Sequence, residues 1–183
     1  AKHHDGFCLW PSEYTEHDVA SSPWRNGEGD LLQELADACK EYDLKMGVYL
    51  SPWDRNNPKY GTPEYNQYFM DQLSEALTGY GDIFEVWFDG ANGEGPNGKK
   101  QEYDWAGFIG TVREHQPDAV IFSDAGPDIR WVGTEKGFAN PTNWSTLNRD
   151  DYYPGTPRYV ELRSGNKNGT HWVPAEVDVS IRP

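Results

Sequence analysis

One carboxylate stands out by its setting. Asp89 closes the run Ile83-Phe84-Glu85-Val86-Trp87-Phe88 and is followed by Gly90. A strand there delivers the side chain at its end, between an aromatic ring and a residue that lets the backbone turn away. A carboxylate so placed can serve as a nucleophile or as an acid/base group, provided that a second carboxyl lies close by. Glu94, Glu102, Glu135, Glu161 and Glu176, in loops or at possible strand ends, are the candidates for that partner. His3 and His4 form a second cluster. Adjacent strand residues point to opposite faces, so both imidazoles reach one pocket only if the chain is bulged or already turning there. His17, His115 and His171 add no spacing that completes a tetrahedral metal site, so neither a metal nor an organic cofactor is expected.

Several elements must hold these groups. Residues 1–9 read as a strand with a polar end. From Asp30 the period turns helical over about 31–42, with Leu31, Leu32, Leu35, Ala38, Cys39 and Tyr42 on one face and a capping-box start from Asp30 and Gln33. Met46, Val48 and Leu50 alternate with Gly47 and Tyr49 in a strand that stops at Ser51-Pro52. Thr62-Pro63 opens a second helix with the stripe Tyr65, Phe69, Leu73, Ala76 and Leu77. The strand 83–88, a glycine-rich loop, a helix marked by Trp105, Phe108, Ile109 and Val112, and a strand at 119–122 complete the regular part.

Strand starts about 35 to 40 residues apart, with helices between them, force parallel pairing and an α/β fold. Polar and aromatic residues follow successive strands: His3-His4-Asp5, Ser51-Pro52-Trp53-Asp54, Asp89-Gly90 and Ser123-Asp124. That is the active face of a (β/α)8 TIM-type barrel, whereas an open nucleotide-binding sheet concentrates its signal in one glycine-rich turn of fixed spacing, which is missing here. A full barrel needs about 250 residues. Residues 1–183 are therefore expected to be a partial catalytic barrel domain with five or six strands, cut from a longer polypeptide.

The net charge of −14 argues against nucleic acid and against anionic membrane surfaces as partners. No apolar run has transmembrane length, so membrane insertion is not expected. Two cysteines, Cys8 and Cys39, exclude a disulfide framework. Eight Trp, eleven Tyr and seven Phe offer flat faces of the kind that stack on sugars, although such rings also fill cores. The sequons at Asn143 and Asn168 are too short to decide a compartment.

The string Lys2-His3-His4-Asp5-Gly6-Phe7-Cys8-Leu9-Trp10, followed by Val86-Trp87-Phe88-Asp89-Gly90, resembles the signature of glycoside hydrolase family 29, the α-L-fucosidases. The likeness continues through 45–53, 121–131 and 172–183. It implies a retaining exo-glycosidase on a barrel, with Asp89 as nucleophile and His3 and His4 binding fucose. In the family the acid/base is a glutamate whose position differs between branches. Arg130-Trp131-Val132-Gly133-Thr134-Glu135-Lys136-Gly137 is similar to the stretch that carries it in the α-1,3/1,4-specific branch, which selects Glu135 over Glu161 and Glu176. Such an acid needs burial or a neighbouring charge to keep its proton. Trp10, Trp53 and Trp87 are candidate walls of the sugar site, Asp54 and Arg130 candidate hydroxyl contacts, and the loop 92–102 a candidate lining for the aglycone. The implied partner is a fucosylated glycan, and the implied location secreted or periplasmic. A broad-specificity fucosidase and an inactive fucose-binding relative are the alternatives.

Overall fold

A computed structural model describes residues 1–148, 154–155 and 159–179, so the end of the 172–183 stretch lies outside the described residues. The elements are α1 (Leu31–Glu41), β1 (Met46–Leu50), α2 (Pro63–Thr78), β2 (Ile83–Phe88), α3 (Trp105–His115), β3 (Val120–Ser123), β4 (Ile129–Trp131), β5 (Thr146–Leu147), α4 (Tyr159–Ser164), β6 (His171–Trp172) and β7 (Ala175–Glu176). Five strands form a parallel sheet in the order β1-β2-β3-β4-β7, while β5 and β6 pair antiparallel. The α/β expectation is thus met, with a further parallel bridge from Lys2 to Leu50 beside β1. The chain divides into two compact units, one of residues 1–87 and 91–119, the other of 88–90 and 120–183.

The alternation of buried and unburied residues along β1 and β2 is the organising feature. Met46, Val48, Leu50, Val86 and Phe88 are buried, whereas Gly47, Tyr49, Glu85 and Trp87 on the other parity are not. Helix α2 starts with Pro63 at its first turn and buries Tyr65, Phe69, Leu73, Ala76 and Leu77 as its stripe predicts. Asp104 caps α3 by accepting from the Gly107 N–H at 2.9 Å, and Phe69 and Phe108 pack with ring centroids 4.5 Å apart.

Two expectations need correction. Helix α1 is capped as predicted, Asp30 accepting from the Gln33 N–H at 3.0 Å. Of its apolar stripe, however, only Leu32 is buried, and Leu31, Leu35 and Tyr42 are exposed. Residues 1–9 are not a continuous strand, because the chain turns at His4-Asp5 with Gly6 at φ +77° and its N–H bonded to the His3 carbonyl at 3.0 Å. Asp5-Gly6 favours a left-handed turn position over extension.

That turn is stapled by a buried ion pair. Lys2 Nζ lies 3.0 Å from Asp54 Oδ2 and donates to Gln72 Oε1 at 2.9 Å and to Tyr65 Oη at 3.3 Å. Asp54 Oδ1 accepts the N–H groups of Asn56 and Asn57, each at 2.8 Å. Removing one partner of such a pair strands a desolvated charge, at a cost of roughly 3–5 kcal/mol. Lys2→Met is therefore expected to lower the unfolding free energy of the complete protein by that amount in urea titrations. The double variant Lys2→Met/Asp54→Asn should recover much of the loss. An unchanged midpoint for Lys2→Met would show that the pair contributes nothing.

Candidate active site

The turn at His4-Asp5 decides what the two histidines can do. Instead of pointing to opposite faces, their rings lie 3.9 Å apart. His3 stacks on Tyr49, with centroids 5.9 Å apart and planes 18° from parallel, and Tyr49 in turn meets Trp87 at 5.2 Å. His4 is 4.6 Å from Trp53, and its Nδ1 is 2.7 Å from Ser51 Oγ. The result is a row of rings, His3, Tyr49 and Trp87, crossing adjacent chain segments on the unburied face of the first unit. Gly47, Val48, Tyr49, Glu85 and Trp87 line an open depression of about 270 Å³ there. A larger one of about 1010 Å³ lies at the opposite, N-terminal ends of the strands, lined by residues such as Asp37, Lys45, Asp82 and Asp118. Chemistry in parallel α/β sheets sits at the C-terminal ends, which argues against the larger depression, whereas the smaller one lies over the middle of β1 and β2, beside the rings. Tyr49 was not singled out in the sequence. Its odd position in the β1 alternation, matching Trp87 in β2, is the signal that could have found it.

Trp53 is half-buried, its indole packed over Gly93 and its Nε1 donating to the Glu94 carbonyl at 3.1 Å. The loop 92–102 is thereby held down, helped by Asn92 Nδ2 bonded to the Gln101 carbonyl at 2.8 Å. Three other expected sugar contacts are interior instead. Trp10 is 1% exposed and gives its Nε1–H to Glu75 Oε2 at 3.0 Å. Asp54 is 1% exposed and committed to Lys2. Arg130 is 0% exposed, its guanidinium donating to the Leu162, Trp144 and Trp131 carbonyls and to Asn143 Oδ1. All three hold the structure together and present no surface to a ligand.

The second unit carries Asp89, Asp124, Glu135, Glu161 and Glu176. Asp89 directly follows β2 and is half-buried. Its neighbour Gly90 is buried against Asp124, which follows β3. The Asp124 carboxyl is pushed up to about 6, by burial first and by the Asp89 charge second, against the opposing pull of N–H donors at Gly155, Asp124 and Gly90. Glu135 is exposed on the loop after β4. That loop is pinned by Trp131 Nε1 donating to Asp178 Oδ1 at 2.7 Å and by a bridge between Lys136 and Val179. Glu161 lies in the first turn of α4, not at a strand end, and Glu176 stands opposite Trp131 in β7. Glu94 and Glu102 are exposed in the loop after Asp89. Burial and charge therefore act on Asp124, a carboxyl the sequence marked only as the polar end of a strand. Among the described residues no cluster of three or more His, Cys, Asp or Glu side chains is arranged to hold a metal ion.

Residues 1–150 match the alpha-L-fucosidase family. The chain belongs to that family. Alpha-L-fucosidase 1 of Arabidopsis thaliana is 54% identical over 184 aligned residues, covering 100% of this chain and 36% of that protein. A glycoside hydrolase 29 family member from an unknown rumen bacterium has a TM-score of 0.89 and 51% identity, over 100% of this chain and 34% of its own. A Ruminococcus gnavus glycoside hydrolase 29 fucosidase in complex with fucose has a TM-score of 0.80 and 35% identity, over 98% of this chain and 41% of its own. This member of the α-L-fucosidase family thus spans about a third of the length of its relatives.

Proposed function

We propose that the polypeptide carrying this chain is a retaining exo-α-L-fucosidase that removes terminal α-1,3/1,4-linked L-fucose from glycans by double displacement. Asp89 attacks the anomeric carbon to form a glycosyl-enzyme ester. Glu135 protonates the departing oxygen and then activates the water that releases fucose. His3 and His4 contact ring hydroxyls, Trp53, Trp87 and Tyr49 supply apolar walls, and the loop 92–102 meets the aglycone. Export to the periplasm or the cell exterior, where such glycans occur, belongs to the same proposal. The observation that carries it is the carboxylate ending β2 in a chain whose first 150 residues match the family. A relative in complex with fucose supports the choice of sugar.

The decisive experiment is covalent trapping. A 2-fluoro-fucosyl fluoride incubated with the complete protein should label one peptide, and mass spectrometry should place the adduct on Asp89. An adduct elsewhere overturns the mechanism, and binding of fucose without any adduct identifies a fucose-binding relative. A branch-specific enzyme hydrolyses an α-1,3/1,4-fucosylated branched trisaccharide far faster than an aryl fucoside, whereas equal rates indicate broad specificity.

A further inference from the structure

Asp124 occupies a position that double displacement does not use. It follows β3 directly and is 8% exposed. Its carboxyl is seated on the backbone of Gly90 so closely that a Cβ there would collide with both oxygens. The N–H groups of Gly90 and Gly155 donate to that carboxyl. Asp89 immediately precedes Gly90, so Asp124 grips the backbone on which the nucleophile is mounted.

We propose that Asp124 is a positioning residue for Asp89, its buried carboxyl, seated on the backbone of Gly90, fixing the chain from which the nucleophile projects. This rests on the reading of Asp89 given above. Burial and the Asp89 charge together raise the Asp124 carboxyl to about 6. Among the described residues the charged side chain acting on it is Asp89. The backbone N–H groups at Gly90, Gly155 and Asp124 itself pull the opposite way.

The test compares Asp124→Asn, Asp124→Ala and Asp89→Ala in the complete enzyme. A displacement of a catalytic group by about 1 Å costs on the order of 100-fold. Asp124→Ala should accordingly lower kcat by about that factor with little change in KM. Asp124→Asn keeps the shape and one acceptor oxygen, and should regain most of the loss. In carbon-13 spectra of the aspartate carboxyls, the Asp124 titration midpoint near 6 should fall when Asp89 is changed to Asn, a signature that mere packing would not produce. Wild-type kcat in Asp124→Ala, or an Asn variant as impaired as the Ala variant at equal thermal stability, would overturn the inference. So would a midpoint indifferent to Asp89→Asn, which remains decisive even if Asp124→Ala fails to fold. Turnover surviving in Asp89→Ala refutes the assignment of the nucleophile itself. An inactive Asp89→Ala beside an unimpaired Asp124→Ala refutes only the role of Asp124.

Discussion

Asp89→Ala is expected to reduce kcat of the complete enzyme by roughly 10⁴-fold or more while leaving KM nearly unchanged. Losses of that size accompany removal of a nucleophile, because the residual rate then rests on binding and electrostatics alone. Ground-state contacts to fucose are assigned to His3, His4 and the aromatic row, whose distances do not depend on the Asp89 side chain. The stereochemistry of rescue supplies a second readout. With alanine at 89, external azide has room to attack the anomeric carbon itself, in a single displacement that inverts the configuration, so an α-fucoside yields the β-azide. An α-azide from this variant would mean that another residue still forms the glycosyl-enzyme. A kcat within ten-fold of wild type would remove Asp89 from the mechanism altogether.

How far the sequence could be read depends on the range of the interactions involved. Short-range signals sufficed for β1, β2, α2 and α3: alternation of Met46, Val48 and Leu50, proline at the first turn of α2, and the apolar residues Trp105, Phe108, Ile109 and Val112 of α3. Asp89 was legible for the same reason, since a carboxylate ending an apolar run is a local pattern. What Trp10, Asp54 and Arg130 do is decided by partners elsewhere along the chain. Trp10 resembles a sugar-facing ring until Glu75, 65 positions on, takes its N–H. Asp54 resembles a strand-end acid until Lys2 is folded against it. Arg130 resembles a ligand contact until the carbonyls of Trp144 and Leu162 surround it. Each buried polar group must find a partner, and a single sequence does not say which residue that is. The His3-His4 pair lies between these cases. Alternation alone would make the two diverge, and the turn at His4-Asp5, left open as an alternative in the sequence, unites them. Asp124 was visible as a polar strand end, but its grip on Gly90 depends on a neighbouring strand.

The acid/base assignment yields to a panel in which Glu135, Glu161 and Glu176 are each changed to Ala. On an aryl fucoside with a good leaving group, loss of the proton donor should spare the first step, because little protonation of the departing oxygen is needed. The glycosyl-enzyme then accumulates for want of a general base. On a fucosylated glycan, whose leaving group is poor, both steps suffer, and a general acid/base contributes roughly 10²–10⁴-fold. Azide needs no base, so it should accelerate turnover of Glu135→Ala on the aryl substrate. It attacks the intermediate after a first inversion at Asp89, so the product is the α-azide, opposite in configuration to that expected from Asp89→Ala. The three candidates differ in their local setting: Glu135 sits on a loop stitched to Asp178 and Val179, Glu161 within α4, and Glu176 inside β7 beside Trp131. A loop side chain can approach a leaving group without disturbing a helix or a ladder, and its exposure within residues 1–183 leaves desolvation to the aglycone or to the rest of the polypeptide. Rescue of the Glu161 or Glu176 variant instead, with Glu135→Ala unaffected, would move the proton-transfer role to that residue and leave Asp89 as nucleophile.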